Sequence, residues 1–553
     1  MTNTLTIALA QLNPTVGDII GNVELLRRAR KSAAQQNADL VVSSELVVSG
    51  YPPEDLVLRP IVQETILREI LAFAAETEDG GPAMLLGTPW EDGGKLYNAS
   101  ILLEKGKVAA VRYKHDLPNY GVFDEKRVFE PGGLPGPINF RGVRLGVMVC
   151  EDMWTEEVAE YLEESGAEIL TVLNGSPFQH DKWDTRLNLA VARAKECSKP
   201  LIYVNQVGGQ DELVFDGSSF VLGADASLRA EAPAWQEDVL ITSWSRSRAG
   251  WECATADCHS PPEGDHSIYS ALVLGLRDYV RKNKFGGVII GLSGGVDSAL
   301  TAAIAVDALG PDKVQCVMMP SPYTSRESLD DASEAAVLLN MDLTSVSIEP
   351  AMLAFDEMLK DAFAGTELGI TEENIQARAR GLTLMALSNK TGSMVVSTGN
   401  KSEMSVGYTT LYGDMCGGYS VLKDVYKTKV FELCRWRNCD RPEDSLGPEG
   451  CVIPENIISK PPTAELRHNQ KDEDSLPSYD LLDDMLRALN EEDMSIDDVV
   501  KRGHDRAAVV RVWRMLLGAE YKRRQAPPGV KITGRSFGRD RRYPIVNAFQ
   551  GRP

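Results

Sequence analysis

The chain has 553 residues, 43% of them hydrophobic and 25% charged, with 47 Gly, 29 Pro and a formal net charge of −22. This composition excludes a disordered, collagen-like or low-complexity chain, and the length exceeds one ordinary hydrophobic core, leaving room for about two to four domains. The negative charge argues against a nucleic-acid partner, which calls for a cationic surface, although residues 501–553 carry fourteen Lys or Arg against three Asp or Glu and suit a local anion site, an acidic neighbouring subunit or a solvated tail.

Met1 to Ala10 has no basic segment before its short apolar stretch, and no later run nears the roughly 18 apolar residues of a membrane span. Neither signal peptide nor membrane anchor is expected, and the cytoplasm is the expected location. Leu5 to Ala10 and Leu40 to Ser43 read as buried strands on either side of a helix over Ile19 to Ala34, whose apolar residues recur at helical spacing. Further strands are predicted at Met84 to Leu86, Ala99 to Leu103, Leu145 to Val149, Ile169 to Leu173 and Leu201 to Val204, with helices over Glu156 to Glu164 and Lys182 to Cys197. Between Trp244 and His266 the pattern turns irregular around a Pro-Pro pair, and a boundary there divides the chain into domains 1–262 and 263–553.

The second half alternates elements regularly: helix Ile268 to Arg281, strand Val288 to Leu292, helix Asp297 to Leu309, strand Gln315 to Met319, helix Arg326 to Leu339, strand Thr344 to Ile348, helix Asn374 to Ser388 and strand Met394 to Ser397. That is the pattern of a Rossmann-like, doubly wound parallel sheet. Segments 436–450 and 467–479 are polar and read as mobile loops. The nine cysteines are scattered and odd in number, so free thiols are expected. The tight cluster Cys253, Cys258 and His259 fits no common zinc spacing.

Residues 291–298 read Gly291-Leu292-Ser293-Gly294-Gly295-Val296-Asp297-Ser298, where a predicted strand passes into a helix. Unsatisfied N–H groups at a helix start attract phosphate, and the glycines let its oxygens approach without a Cβ in the way. Ser293 and Ser298 add hydroxyls, and Asp297 suits Mg²⁺. No Gly-Lys-Ser/Thr follows, so the loop is not a Walker A loop, and γ-phosphate transfer is disfavoured. Gly291-Leu-Ser293-Gly-Gly295 also fits the Gly-x-Ser-x-Gly nucleophile elbow, but the elbow leaves Val296-Asp297-Ser298 unexplained.

In the first half, Glu45 and Cys150 each follow the end of a predicted strand, and Lys114 follows the strand-like Val108 to Tyr113. A thiol attacks an amide only as thiolate, so Glu45 is the candidate base. Lys114 is the candidate stabiliser of the thiolate and of the oxyanion.

Ser-Gly-Gly-Val-Asp-Ser resembles the loop of the ATP pyrophosphatases, which split ATP between the α and β phosphates to activate a substrate as its adenylate. Ser397-Thr-Gly-Asn-Lys-Ser-Glu403, Gly413-Asp414, Leu422-Lys423, Pro461-Pro-Thr463-Ala-Glu-Leu466 and Glu520-Tyr-Lys522-Arg523 resemble, in order, segments of the NAD synthetases. That resemblance implies that Thr398, Lys423 and Thr463 contact ATP, that Asp297 and Glu403 hold Mg²⁺, and that Asn374, Glu403 and Lys522 contact deamido-NAD⁺.

Ser44-Glu45-Leu46, Tyr113-Lys114 and Val149-Cys150-Glu-Asp-Met-Trp154 resemble the three motif neighbourhoods of the nitrilase/amidase family over roughly residues 4–245. A four-layer αββα sandwich is implied, with Glu45 as base, Lys114 as stabiliser and Cys150 as nucleophile. Tyr120, Glu125, Ser176 and Lys182 match positions lining a glutamine pocket, and Glu125 is also placed to orient Lys114.

Joined in one chain, the two halves resemble the glutamine-dependent NAD⁺ synthetases. The resemblance implies an oligomeric enzyme with ATP as co-substrate and Mg²⁺. Glutamine would supply the ammonia that amidates nicotinic acid adenine dinucleotide through an acyl-adenylate, giving NAD⁺, AMP, pyrophosphate and glutamate. A stand-alone amidase with a regulatory nucleotide module is disfavoured by the intact loop with Asp297 and Glu403, and a tRNA-modifying adenylating enzyme by the net charge.

Overall fold

The computed structural model describes residues 3–180 and 182–549, and its internal contacts divide the chain into two compact units between Pro262 and Glu263. The first unit holds two sheets. One runs, in spatial order, Gly250–Cys253, Asp238–Ser247, Thr4–Gln11, Leu40–Ser43, Ala83–Asp92, Lys95–Glu104 and Lys107–Tyr113. The other runs Leu228–Glu231, Phe220–Leu222, Leu201–Asn205, Ile169–Asn174, Val143–Val149 and Ile138–Phe140.

Period-2 alternation sorts the side chains of these strands to opposite faces. Leu5, Ile7, Leu9, Val42 and Leu85 of the first sheet meet Leu145, Val147, Leu173, Ile202 and Val204 of the second in one buried cluster. Ala8, Ala10, Val41 and Met84 pack outward against helices Ile19–Gln35 and Pro60–Glu76. Met148, Leu170, Val172 and Tyr203 pack outward against Glu157–Glu164 and Lys182–Cys197. Each fully buried aliphatic residue contributes about 1.5–3 kcal/mol of apolar transfer, and the outcome is a four-layer αββα sandwich. The stretch read as irregular from Trp244 onward instead completes a hairpin, with Arg246 opposite Trp251 and Ser247 opposite Gly250, because Trp244 and Trp251 both belong to the inter-sheet core.

The second unit has a five-stranded parallel sheet in the order Leu343–Ser345, Val314–Met318, Val288–Gly291, Met394–Ser397 and Tyr419–Ser420. The order reverses at the central strand Val288–Gly291, so the crevice at the C-terminal ends of the strands opens there. Helix Val296–Leu309 is the most apolar of the flanking helices, and thirteen of its fourteen residues are buried. The strand expected over Thr344 to Ile348 is only Leu343–Ser345. It is a half-exposed edge, and Pro350 opens an unforeseen helix, Glu349–Leu359, directly after it. Residues 436–439, expected in a loop, finish helix Lys427–Cys439. Within 467–479 a turn of 3₁₀-helix, Asp472–Asp474, buries Asp472. Among the described residues no helix is long and apolar enough to cross a membrane.

Candidate active site

In the first unit, Glu45, Lys114 and Cys150 all come from strand ends, as an α/β sheet requires of residues that must converge. Lys114 is fully buried, and its Nζ donates to Glu45 Oε1 at 2.7 Å and to Glu125 at 3.0 and 2.9 Å. Asn98 Nδ2 donates to both carboxylates, at 2.7 and 3.3 Å, and Tyr51 Oη donates to Glu125 at 2.8 Å. Burial alone would pull the Lys114 amine down, but the Glu125 and Glu45 charges outweigh it and hold the ammonium well above its usual range. Burial pushes the Glu125 carboxyl up, and Glu45 adds to this against the opposing pull of Lys114.

Glu45 Oε2 is buried and has no hydrogen-bond partner among the described residues. Space beside it is kept by Gly175, where a Cβ would stand 3.0 Å from that oxygen. Cys150 is 4% exposed and has φ +46°, a left-handed conformation that a side chain adopts only when its surroundings impose it. Burial, reinforced by the Glu45 charge and opposed by Lys114, pushes its thiol well above the usual range. The sulfur is therefore protonated at neutral pH and within electrostatic reach of a base and a cation.

The remaining residues proposed from sequence for this pocket divide. Glu125 joins the buried ion cluster. Tyr120 is half exposed and donates to both Glu151 oxygens at 3.0 Å. Lys182 Nζ stands 5.9 and 6.0 Å from the ring centres of Phe123 and Trp154. Ser176 is buried, with its hydroxyl accepting from Arg186 and its N–H donating to Asn205. Asn98 and Tyr51, to which sequence reasoning gave no role, complete the cluster. An Asn in mid-strand carries no spacing signal, whereas Tyr51 stands in Gly50-Tyr-Pro-Pro53, close after Glu45.

In the second unit the loop after Val288–Gly291 leads into helix Val296–Leu309. Ser298 Oγ receives the Ser293 N–H at 3.2 Å and lies 3.1 Å from Ser293 Oγ, so these hydroxyls brace the loop. Gly294 has φ +79°, and a Cβ there would lie 2.3 Å from the Ser328 carbonyl oxygen. Gly294→Ala is therefore expected to cost roughly 1–3 kcal/mol, measured as a drop in thermal unfolding temperature against wild type.

Two cavities flank this loop and share Ser293, Thr398, Asp414, Ala464 and Glu465 in their walls. The first, about 270 Å³, is bounded by Gly291, Leu292, Val317, Leu384, Val396 and the half-buried Arg380, whose guanidinium burial pulls down to about 10. The second, about 200 Å³, is bounded by Gly295, Val296, Asp297, Ser298, Glu403, Lys427, Thr463 and Asp472.

Lys427 Nζ bridges Asp297 Oδ2 at 2.5 Å and Glu403 Oε1 at 3.2 Å, while Asn400 Nδ2 donates to Asp297 Oδ1 at 2.8 Å. Burial pushes Glu403 up to about 8 against the pull of Lys427, and Asp297 adds to the rise. Burial alone would lower Lys427, but Asp297 and Glu403 raise it, so the ammonium persists. A cation held between two converging carboxylates marks a place suited in charge and donor type to a hard divalent ion. Among the described residues no group of three or more His, Cys, Asp or Glu is arranged to hold a metal by itself, so two carboxylates leave most of an octahedral shell to water or ligand oxygens.

Lys423, expected at the phosphates, is buried but absent from both cavity walls. Lys427, four residues on, is in the second cavity's wall, because it opens a helix at the C-terminal end of the same parallel sheet, and that location was the signal that could have found it. Asn374 accepts from Thr410 Oγ1 at 2.8 Å, Thr410 N–H donates to Asp414 at 2.6 Å, and Lys522 Nζ donates to the Gly407 and Thr409 carbonyls. These residues stand behind the end of the first cavity where Thr410 and Asp414 form the wall. Within the basic C-terminal segment Arg523 and Arg541 both bind Glu520 at 2.8 Å, and Lys531 binds Asp540 at 2.7 Å.

Residues 6–250 match the carbon-nitrogen hydrolase family and residues 268–526 the NAD synthase family. The glutamine-dependent NAD(+) synthetase of Rhodobacter capsulatus is 48% identical over 550 residues, covering all of both chains. The chain belongs to the glutamine-dependent NAD⁺ synthetases. The relative of that name from Acinetobacter baylyi is 45% identical, with 98% of each chain covered. The solved structure of the Acinetobacter baumannii glutamine-dependent NAD⁺ synthetase, in complex with adenosine diphosphate, covers 100% of both chains at 42% identity and a TM-score of 0.79. Membership therefore spans both units, and the sandwich and the parallel sheet are the folds of the two matched families.

Proposed function

We propose that this chain is an ATP-dependent, glutamine-hydrolysing NAD⁺ synthetase, a carbon–nitrogen ligase that amidates deamido-NAD⁺ through an acyl-adenylate. The observation that carries the reading is the pairing, in one chain, of a buried thiol beside a Lys–Glu cluster with a phosphate loop faced by two carboxylates.

Glutamine hydrolysis begins with Cys150 as a thiol. The unpartnered Glu45 Oε2 takes its proton as sulfur attacks the side-chain amide, while Lys114 holds Glu45 Oε1 and stabilises the oxyanion together with the backbone N–H that follows the nucleophile. Glu45 returns the proton to the departing ammonia, then activates the water that cleaves the thioester and frees glutamate. Tyr120, Ser176 and Lys182 bind glutamine, and Glu125 with Asn98 and Tyr51 keeps Lys114 aimed.

In the second unit, ATP lies across the two cavities, with Thr398, Thr463, Lys427 and the N–H groups of the loop on its phosphates. Asp297 and Glu403 would hold Mg²⁺, which supplies charge neutralisation to the polyphosphate. Asn374, Glu403 and Lys522 bind the dinucleotide. Its ring carboxylate is a poor electrophile because it carries negative charge and has no good leaving group. Attack of that carboxylate on the α-phosphorus breaks the bond to the β-phosphate, expels pyrophosphate and gives a mixed anhydride, from which ammonia displaces AMP with loss of a proton.

Product analysis tests this. ATP labelled at the α and γ positions should yield AMP and pyrophosphate, equimolar with NAD⁺; ADP and orthophosphate would end the reading. Chelating divalent metal should stop NAD⁺ formation from either nitrogen donor while glutamine hydrolysis continues, a split read directly from glutamate and NAD⁺ assays.

A further inference from the structure

The turn that carries Cys150 also carries a buried carboxylate to which the reaction above gives no part. Asp152 is 1% exposed. Its Oδ2 accepts the N–H of Val149, the residue before Cys150, at 2.9 Å. Its Oδ1 accepts the N–H groups of His115 at 2.9 Å and Asp116 at 2.8 Å, the two residues after Lys114.

Lys114 follows the edge strand Lys107–Tyr113 of the first sheet, whereas Cys150 follows Val143–Val149 of the second. One side chain therefore bonds the backbone on both sides of the gap between cation and sulfur. Within its own turn it closes the loop from Val149 to Asp152 around Cys150, whose positive φ needs external support. Glu45 and Glu125 act on the lysine's ammonium tip, and its backbone is tied to Asn98 and Gly132; Asp152 adds the link from this segment to the turn of Cys150.

We propose that Asp152 is a positioning residue for glutamine hydrolysis, setting the separation of Cys150 and Lys114 through one carboxylate shared by their two backbone segments. The inference rests on the reading of Cys150 as nucleophile and Lys114 as stabiliser. Three N–H donors converge on Asp152, and a carboxylate offers acceptor capacity on both oxygens. An amide offers one acceptor oxygen and points an NH₂ at another donor, so Asp152→Asn must release one of the two segments. A displacement near 1 Å between reacting groups costs about 10²-fold in rate.

The test is steady-state kinetics of Asp152→Asn and Asp152→Glu in the full-length chain, with glutamine and separately with ammonium, alongside thermal unfolding. Asp152→Glu keeps the charge but moves both oxygens by one methylene. Each variant is expected to lose about 10²-fold in kcat for glutamine hydrolysis, with KM for glutamine within about threefold and ammonium-supported NAD⁺ formation at the wild-type rate. If one variant fails to fold, the other carries the test. A kcat within about twofold of wild type, a rise in KM alone, parallel loss of ammonium-supported synthesis, or failure of both variants to fold would each overturn the proposal. The underlying site reading fails separately, and only if Cys150→Ala still makes NAD⁺ from glutamine.

Discussion

Cys150→Ala is expected to lower glutamine-supported NAD⁺ formation by about 10³-fold or more, with ammonium-supported formation within about twofold of wild type. The size of the first effect follows from chemistry: alanine offers no lone pair to the amide carbon, and nothing else at that turn replaces it. Glu45 could direct water at the amide, but uncharged water attacks an unactivated amide poorly, and Lys114 is already committed to two carboxylates. The absence of the second effect follows from the architecture. Cys150 lies in a unit with its own inter-sheet core, and the phosphate loop in another. The truncation removes only one sulfur from a turn whose hydrogen bonds are made by Asp152, so the fold should survive. Assays with both nitrogen donors, plus direct measurement of glutamate release, decide the matter. Loss of both activities in a chain that unfolds at the wild-type temperature would refute two separable sites.

Asp297→Ala should do the reverse, removing NAD⁺ formation from either donor by about 10³-fold, equivalent to about 4 kcal/mol of transition-state stabilisation, while glutamine hydrolysis persists. The carboxylate stands in the first turn of helix Val296–Leu309, held by Asn400 and Lys427. Removing it leaves Lys427 on Glu403 alone and takes away one of the two anionic ligands expected of the metal. Asp297→Asn is the sharper variant, since it keeps the shape and removes the charge. It should lose nearly as much as Asp297→Ala. Undiminished NAD⁺ formation in either variant would take Asp297 out of the mechanism.

Much of the architecture was legible because the cues are local. Buried strands announce themselves as short apolar runs, helices by their spacing, and the loop at 291–298 by glycines at a strand-to-helix junction. The hairpin from Asp238–Ser247 to Gly250–Cys253 was not legible, because its second strand has four residues and is held by a tryptophan that packs across to the other sheet. Nor was the helix Glu349–Leu359, none of whose residues is buried and whose beginning is marked only by Pro350.

The sequence by itself determined which side chains are available for chemistry: a thiol, a lysine and a glutamate at three strand ends, and a serine- and glycine-rich loop ahead of Asp297. Their types and local contexts are written in consecutive residues, where spacing is a faithful guide. Only the tertiary structure decided their partners. It added Asn98 and Tyr51 to the carboxylates that hold Lys114, and put Lys427 between Asp297 and Glu403. It also brought Arg523 and Arg541 of the basic C-terminal segment onto Glu520. Most of these pairings join residues well apart in the chain, up to 130 positions for Lys427 and Asp297. They are set by which helix or strand end lies beside which once the cores have packed, and linear spacing carries no record of that.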